Sequence, residues 1–151
     1  MSNDASDVLQ ALADAFDRHD VDGIVALYAP DATIEIPERP PGRPDDLRAM
    51  YESWFRVAPD VRIRVRAAIA NETVGLGEVA MVGTNTGPVS LNPADQALIG
   101  VDADQLPPTG QPLDLPMVVV IEVADGRIVS ERQYFSPLSV PRQLGLIHIP
   151  A

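Results

Sequence analysis

The chain has 151 residues, of which 46% are hydrophobic and 22% charged, and its net charge is −11 at pH 7. This length and composition fit one domain with a buried core and exclude a disordered chain. The negative charge argues against nucleic acids and anionic membranes as partners. Cysteine is absent and all 11 basic residues are arginine, which excludes disulfides, thiol chemistry and a Schiff-base lysine.

The N-terminus, MSNDASD, is acidic and polar, unlike a secretion signal. The longest apolar run, at 117–121, is far too short to cross a bilayer. The sequence therefore predicts a cytoplasmic protein with a single domain over residues 1–151.

Three helices are predicted in the first part of the chain. Apolar residues recur at helical spacing from Ala5 to Arg18, and Asp20 is a suitable N-cap for a short helix over 21–28. A strand is expected over 31–36. Pro44 then suits the first turn of a third helix that extends to about Val57.

In the rest of the chain, the sequence pattern predicts strands over 61–66, 73–86, 111–123 and 126–136, and an irregular stretch over 87–110. Asp125 and Gly126 form a hairpin turn signal between the last two strands. Helices at the front and an antiparallel meander at the back predict an α+β fold. In this fold a cone-shaped, curved antiparallel sheet wraps against the N-terminal helices, and a cavity lies between them.

Arg62, Arg64 and Arg66 alternate with apolar residues along one predicted strand. This row is either an anion site or the polar face of a half-covered strand that pairs with neighbouring carboxylates. The second interpretation is favoured, because exposed strand faces commonly have this pattern.

The last strand carries an unusual mixture of side chains. Strict alternation places Val129, Glu131, Gln133 and Phe135 on one face, opposite Ile128, Ser130, Arg132 and Tyr134. The first face combines apolar groups with a carboxylate and an amide, which is typical of the wall of a ligand cavity.

Several stretches together resemble the SnoaL-like polyketide cyclase family of the nuclear transport factor two-like superfamily. They are HDVDGIVALYAPDAT at 19–33, GTNTGP at 83–88, PPTG at 107–110, DGRIV at 125–129, and YF at 134–135 followed by RQLGL at 142–146. The last strand is also similar to that of limonene epoxide hydrolase. The resemblance implies the cone fold but not the reaction, since this superfamily includes enzymes and proteins that only bind.

The resemblance also assigns positions to the family's proton-transfer groups, and here neutral residues occupy them. The aspartate of the last strand corresponds to Gln133, and the histidine or aspartate of the middle strand to Asn85. The ketosteroid isomerase base corresponds to Ile36, and the acid of the penultimate strand to Val119. Asn85 and Gln133 can hydrogen-bond a substrate oxygen, but they cannot take a proton.

Glu131 shares the face of Gln133 and is the carboxylate that the pattern places at the cavity. It is either a tuned general acid or base or a scaffold group paired with an arginine such as Arg66 or Arg132. Structural ion pairs are common, which favours the scaffold interpretation slightly. Asp114 and Glu35 are out of phase with the apolar face and are expected to point away.

The third helix supplies aromatic residues that either wall the cavity or pack in the core. The predicted catalytic residues are Glu131, Gln133 and Asn85. The predicted substrate-binding residues are Ile36, Tyr51, Trp54, Phe55, Met117, Val119 and Phe135.

The favoured hypothesis is a cofactor-free cyclase or isomerase that acts on a small apolar oxygenated molecule of polyketide or terpenoid type. A non-catalytic ligand-binding protein and an epoxide hydrolase-like enzyme are the alternatives. No metal is expected, because His19 and His148 have no second ligand nearby in sequence. The outer face of the sheet is expected to form a homodimer.

Overall fold

A computed structural model describes residues 4–148 and 150. Three helices precede most of the sheet: α1 (Ala5–Asp17), α2 (Val21–Ala26) and α3 (Pro44–Val57). The start of α2 is fixed by a cap: the Asp20 side chain accepts a 2.8 Å hydrogen bond from the Gly23 N–H. The predicted second helix extended to residue 28, but α2 ends at Ala26.

The main sheet has five strands: β1 (Tyr28–Glu35), β2 (Arg62–Ala70), β3 (Val74–Thr84), β6 (Pro112–Ala124) and β7 (Arg127–Tyr134). Between β3 and β6 lie a two-stranded sheet, β4 (Val89–Ser90) with β5 (Gln105–Leu106), and helix α4 (Pro93–Ile99). Helix α5 (Ser139–Gln143) follows β7. The Asp125–Gly126 turn between β6 and β7 has positive φ at both residues, as predicted.

The spatial strand order is β1-β7-β6-β3-β2. Strands β2, β3, β6 and β7 form the antiparallel meander that the sequence predicts. Strand β1 adds to β7 in parallel, with Ile34 opposite Glu131. The sheet was expected to be antiparallel, and the β1–β7 edge differs from this expectation because its two strands are parallel. A parallel edge is possible because a long connection separates β1 from β7.

A β-bulge changes the faces of β7. Glu122 pairs with Ser130 and Val123 pairs with Ile128, so Val129 is an extra residue without a direct partner. Ile128 is consequently buried and Val129 is 36% exposed. The strict alternation predicted from the sequence is wrong for these two residues, although it is correct from Ser130 onward.

Helices α1 and α3 cover the concave side of the curved, open sheet and form one hydrophobic core with it. Gly75 lets α1 approach β3 closely, because a Cβ atom at this position would lie 2.7 Å from Cδ1 of Leu9. This arrangement is the predicted α+β cone. Among the described residues, no helix is long and apolar enough to cross a membrane.

Candidate functional site

A cavity of about 90 Å³ lies between the two covering helices and the inner face of the sheet. Its walls are almost entirely apolar, with Leu12 and Phe16 from α1, Met50 from α3 and Met81 from β3 among them. The structure brings most of the predicted site residues together around it: Tyr51, Trp54, Met117, Val119, Glu131, Gln133 and Phe135.

Glu131 is the carboxylate of this cavity, and its side chain is 1% exposed. Its Oε1 accepts a 2.8 Å hydrogen bond from the Tyr28 hydroxyl, and its Oε2 accepts a 3.0 Å hydrogen bond from Nε2 of Gln133. Each carboxylate oxygen has two lone pairs. Each oxygen therefore has one lone pair that these two hydrogen bonds do not use.

Burial raises the pKa of Glu131 above the ordinary glutamate value, because desolvation disfavours the charged form. The hydrogen bonds from Gln133 and Tyr28 oppose this effect and lower the pKa in part. The balance leaves a carboxyl group that holds its proton at a higher pH than an exposed glutamate. A raised carboxyl pKa is one of the features found in groups that act as a general acid or base.

The scaffold interpretation of Glu131 required an arginine partner, and the structure places both candidate arginines elsewhere. Arg132 forms a 3.1 Å ion pair with Glu122, and Arg66 lies 3.6 Å from Glu78. Among the described residues, no salt bridge involves Glu131. The carboxyl group is held by neutral donors instead.

Tyr28 is a site residue that the sequence analysis missed. It was expected at the end of α2, but it begins β1, beside Ile128 of β7, and is 3% exposed. Burial and the nearby Glu131 charge raise its pKa, so it remains a hydrogen-bond donor. The sequence feature that could have identified Tyr28 is its position as an aromatic residue shortly before the predicted first strand.

Tyr51, on α3, also lines the cavity. Its pKa is raised by burial and then by the Glu131 charge, while the neighbouring Tyr28 hydroxyl lowers it in part. The Tyr51 and Tyr28 hydroxyls are hydrogen-bond neighbours, so Tyr51 adds a second phenol group close to Glu131.

Asn85 does not line the cavity, which corrects its expected placement. Its Nδ2 donates to the Val57 and Gly87 carbonyls at 2.9 and 2.8 Å, and its Oδ1 accepts from the Thr109 N–H and Oγ1 at 2.8 and 2.9 Å. The residue is completely buried. This hydrogen bonding uses the whole amide, so Asn85 fastens the base of the 87–110 segment to the end of α3.

Ile36 and Phe55 also lie away from the cavity walls. Ile36 follows the end of β1 and packs on the outside of the core. Phe55 faces the junction of α1 and α2, where its ring stacks on His19 with centroids 4.1 Å apart. Phe55 follows Trp54 directly on α3, so its side chain points about 100° away from that of Trp54. Phe55 is therefore a half-buried residue that packs against the core.

The arginine row of β2 behaves as the favoured interpretation predicted. Arg64 lies 3.2 Å from Asp114, and Arg66 pairs with Glu78, all on exposed surface. His19 hydrogen-bonds the Val61 carbonyl at 2.7 Å through Nε2. Over residues 4–148 and 150, no group of three or more potential ligand side chains is arranged to hold a metal ion.

The family of this fold and cavity follows from comparison with known proteins. A family model described as the SnoaL-like domain matches residues 9–131. The chain belongs to the SnoaL-like family. The matched range runs from α1 through Glu131 and so includes the covering helices and most of the sheet. Comparison with curated proteins gives no match.

Solved structures with the same fold come from SnoaL-like and related proteins. AclR from Streptomyces galilaeus, for which hydroxylase activity has been suggested, is 20% identical with a TM-score of 0.74, and the match covers 96% of this chain and 83% of AclR. IdmH from Streptomyces antibioticus, a suggested polyketide cyclase, is 23% identical with a TM-score of 0.69, over 93% and 97% of the two chains. A suggested SnoaL-like polyketide cyclase from Jannaschia sp. CCS1 is 18% identical with a TM-score of 0.73, over 95% and 92%.

The family match confirms the resemblance that the sequence predicts. The solved structures confirm the cone fold, and at 18–23% identity they establish the fold alone.

Proposed function

We propose that this SnoaL-like protein is a cofactor-free cyclase or isomerase that acts on a small, apolar, oxygenated molecule by acid-base catalysis. The supporting observation is Glu131, a buried carboxyl group at an apolar cavity with neutral hydrogen-bond donors on both oxygens. A structural carboxylate in this position would ordinarily be paired with a cation. Its place at the cavity instead suits proton transfer to and from a bound molecule.

In the proposed reaction, the Glu131 carboxylate removes a proton from a carbon next to a substrate carbonyl. The electron pair of the broken C–H bond moves to the carbonyl oxygen and forms an enolate or enol. The Tyr51 hydroxyl donates a hydrogen bond to this oxygen in place of the expected Asn85. In an isomerisation, the substrate has a C=C bond conjugated with the enolate, and Glu131 returns the proton to the far carbon of that system. In a cyclisation, the enolate carbon attacks a second carbonyl carbon, the electron pair of that C=O bond moves to its oxygen, and this oxygen takes the proton from Glu131.

The size of the cavity restricts the substrate. A volume of about 90 Å³ is small beside the roughly 300–1,000 Å³ of common ligand sites. We therefore propose a substrate with a single ring, which the cavity would hold without movement of its side chains. A larger polyketide would require displacement of Met50 or Trp54, which lie on the α3 wall and are only partly buried.

The proposal is tested with cyclohexanone as a small apolar ketone. Exchange of its α-protons with D₂O is followed by NMR with the wild-type protein, Glu131→Gln and Glu35→Gln. Glu35 is exposed on β1, so its substitution changes the net charge equally without touching the cavity. Exchange above the buffer rate that is lost only in Glu131→Gln supports the proposal. Equal exchange in all three proteins contradicts it.

A second candidate function is ligand binding without catalysis. It is favoured by the neutral residues Gln133 and Val119 at positions where the family resemblance implies acids. Cyclohexanone binding with no exchange above buffer supports this alternative. Conversion of cyclohexene oxide to its diol, with loss in Glu131→Gln, would instead indicate the epoxide hydrolase-like alternative.

We also propose a homodimer through the outer face of the sheet. Ile69, Leu76 and Val120 lie side by side across β2, β3 and β6, and Val118 lies beside Tyr134. Ile69 is 74% exposed and Tyr134 is 55% exposed. An apolar patch of this kind on an uncovered sheet face is typical of a protein interface.

A further inference from the structure

The cavity has a carboxylate in its wall but no positively charged side chain among the described residues. Glu131 lines it, whereas within the described residues no arginine or histidine does. Aromatic rings from both covering helices and from the chain after β7 form much of the wall: Phe16, Tyr51, Trp54 and Phe135. These groups favour positive charge, because aromatic faces and carboxylates both attract cations.

The carboxyl group also has room for a further donor. Tyr28 and Gln133 occupy one lone pair on each oxygen of Glu131, which leaves the second lone pair of each oxygen free. Both existing partners are neutral. An ionised Glu131 in the empty cavity is therefore a buried charge without a counter-ion, which is unfavourable.

We propose that the cavity binds a small primary alkylammonium ion, whose N–H groups donate to Glu131 and whose apolar body packs against the aromatic walls. The ligand supplies the missing counter-ion, and its ammonium group carries three donors. The net charge of −11 favours approach of cations over anions. This proposal concerns binding and is independent of the proposed catalytic function.

The proposal predicts a coupled protonation. The titratable groups close to Glu131 are Tyr28 from β1 and Tyr51 from α3, and both have raised pKa values. Burial also raises the pKa of Glu131 in the empty cavity. A bound cation favours the carboxylate and lowers that pKa, so binding at or below the empty-cavity pKa releases a proton to the buffer.

The test compares cyclohexylammonium with cyclohexanol, which has nearly the same shape but no charge. Both are titrated into the wild-type protein by calorimetry at several pH values from acidic to neutral, because the proton is released only where Glu131 is protonated in the empty cavity. Cyclohexylammonium is expected to bind about tenfold more tightly, from its ion pair and aromatic contacts. Titrations in buffers with different ionisation enthalpies measure the released proton without any substitution.

Glu131→Gln is expected to abolish the preference for the cation while retaining cyclohexanol binding, because the amide keeps the shape of the cavity but removes its charge. Glu35→Gln is the matched control and is expected to retain the preference. Equal affinities of the two ligands for the wild-type protein, or a preference that survives in Glu131→Gln, would overturn the proposal. Neither outcome depends on the ketone exchange assay.

Discussion

The Tyr28 hydroxyl donates a 2.8 Å hydrogen bond to Oε1 of Glu131, and the two residues are 103 positions apart in the sequence. The parallel addition of β1 to β7 creates this contact by bringing the start of β1 beside the strand that carries Glu131. A buried hydrogen bond to an ionised group is stronger than one between neutral groups. Tyr28 therefore helps Gln133 to oppose the effect of burial on the Glu131 pKa, without being one of the wall residues of the cavity.

Tyr28→Phe should raise the pKa of Glu131 further, because the Tyr28 hydrogen bond lowers that pKa in the wild-type protein. It should also reduce the free energy of unfolding by about 1–3 kcal/mol at neutral pH, since one buried oxygen loses its donor. Carboxyl-carbon NMR titration measures the first effect and urea denaturation the second. Tyr134→Phe, on an exposed residue, is the control, and an unchanged Glu131 titration in Tyr28→Phe would contradict the prediction.

Glu131→Gln should change the pH dependence of stability. The folded protein binds a proton on Glu131 more tightly than the unfolded chain does, because burial raises the folded pKa. Wild-type stability from this group is therefore greatest below the unfolded pKa and falls as the pH rises through the folded pKa, by about 1.4 kcal/mol per unit of difference.

The difference in unfolding free energy between Glu131→Gln and the wild-type protein should thus move in favour of the variant between acidic and neutral pH. Urea denaturation at several pH values measures it, and taking the difference cancels contributions from the other carboxylates. A difference that is independent of pH would show that the Glu131 pKa is the same in the folded and unfolded states.

Asn85→Ala should destabilise the protein by about 3 kcal/mol, because it leaves the Gly87 carbonyl without its side-chain donor and the Thr109 N–H without its acceptor. Cyclohexanol binding should be nearly unchanged, since Asn85 does not line the cavity. Asn71→Ala is a suitable control, because Asn71 caps an exposed turn and its loss should cost less. Loss of ligand binding in a folded Asn85→Ala protein would restore the site role that the sequence analysis gave it.

Leu76→Glu should convert the proposed dimer to a monomer, because it places a charge in the middle of the apolar row on the outer sheet face. Light scattering should then give one chain mass of 16.2 kDa in place of twice that value. Leu98→Glu introduces the same charge at an exposed position on α4 and should remain dimeric. A wild-type monomer at micromolar concentration would contradict the proposed interface.

Local chemistry was enough to predict several parts of this protein. Asp20 and Pro44 mark helix starts through capping and a fixed φ angle, and these effects depend only on near neighbours. The same is true of the positive-φ turn at Asp125 and Gly126. Alternation from Ser130 onward placed Glu131 and Gln133 on the inner face, because side-chain direction in a regular strand has a period of two.

Tertiary structure decided what those residues contact. The bulge at Val129 reversed the local alternation, because it depends on pairing with β6. The sequence pattern predicts a site role for the Asn85 amide, whereas in the fold this amide bonds Val57, Gly87 and Thr109. Tyr28 became the partner of Glu131 only through the β1–β7 pairing. Such contacts join distant segments, and their geometry depends on the packing of the whole sheet rather than on any local sequence pattern.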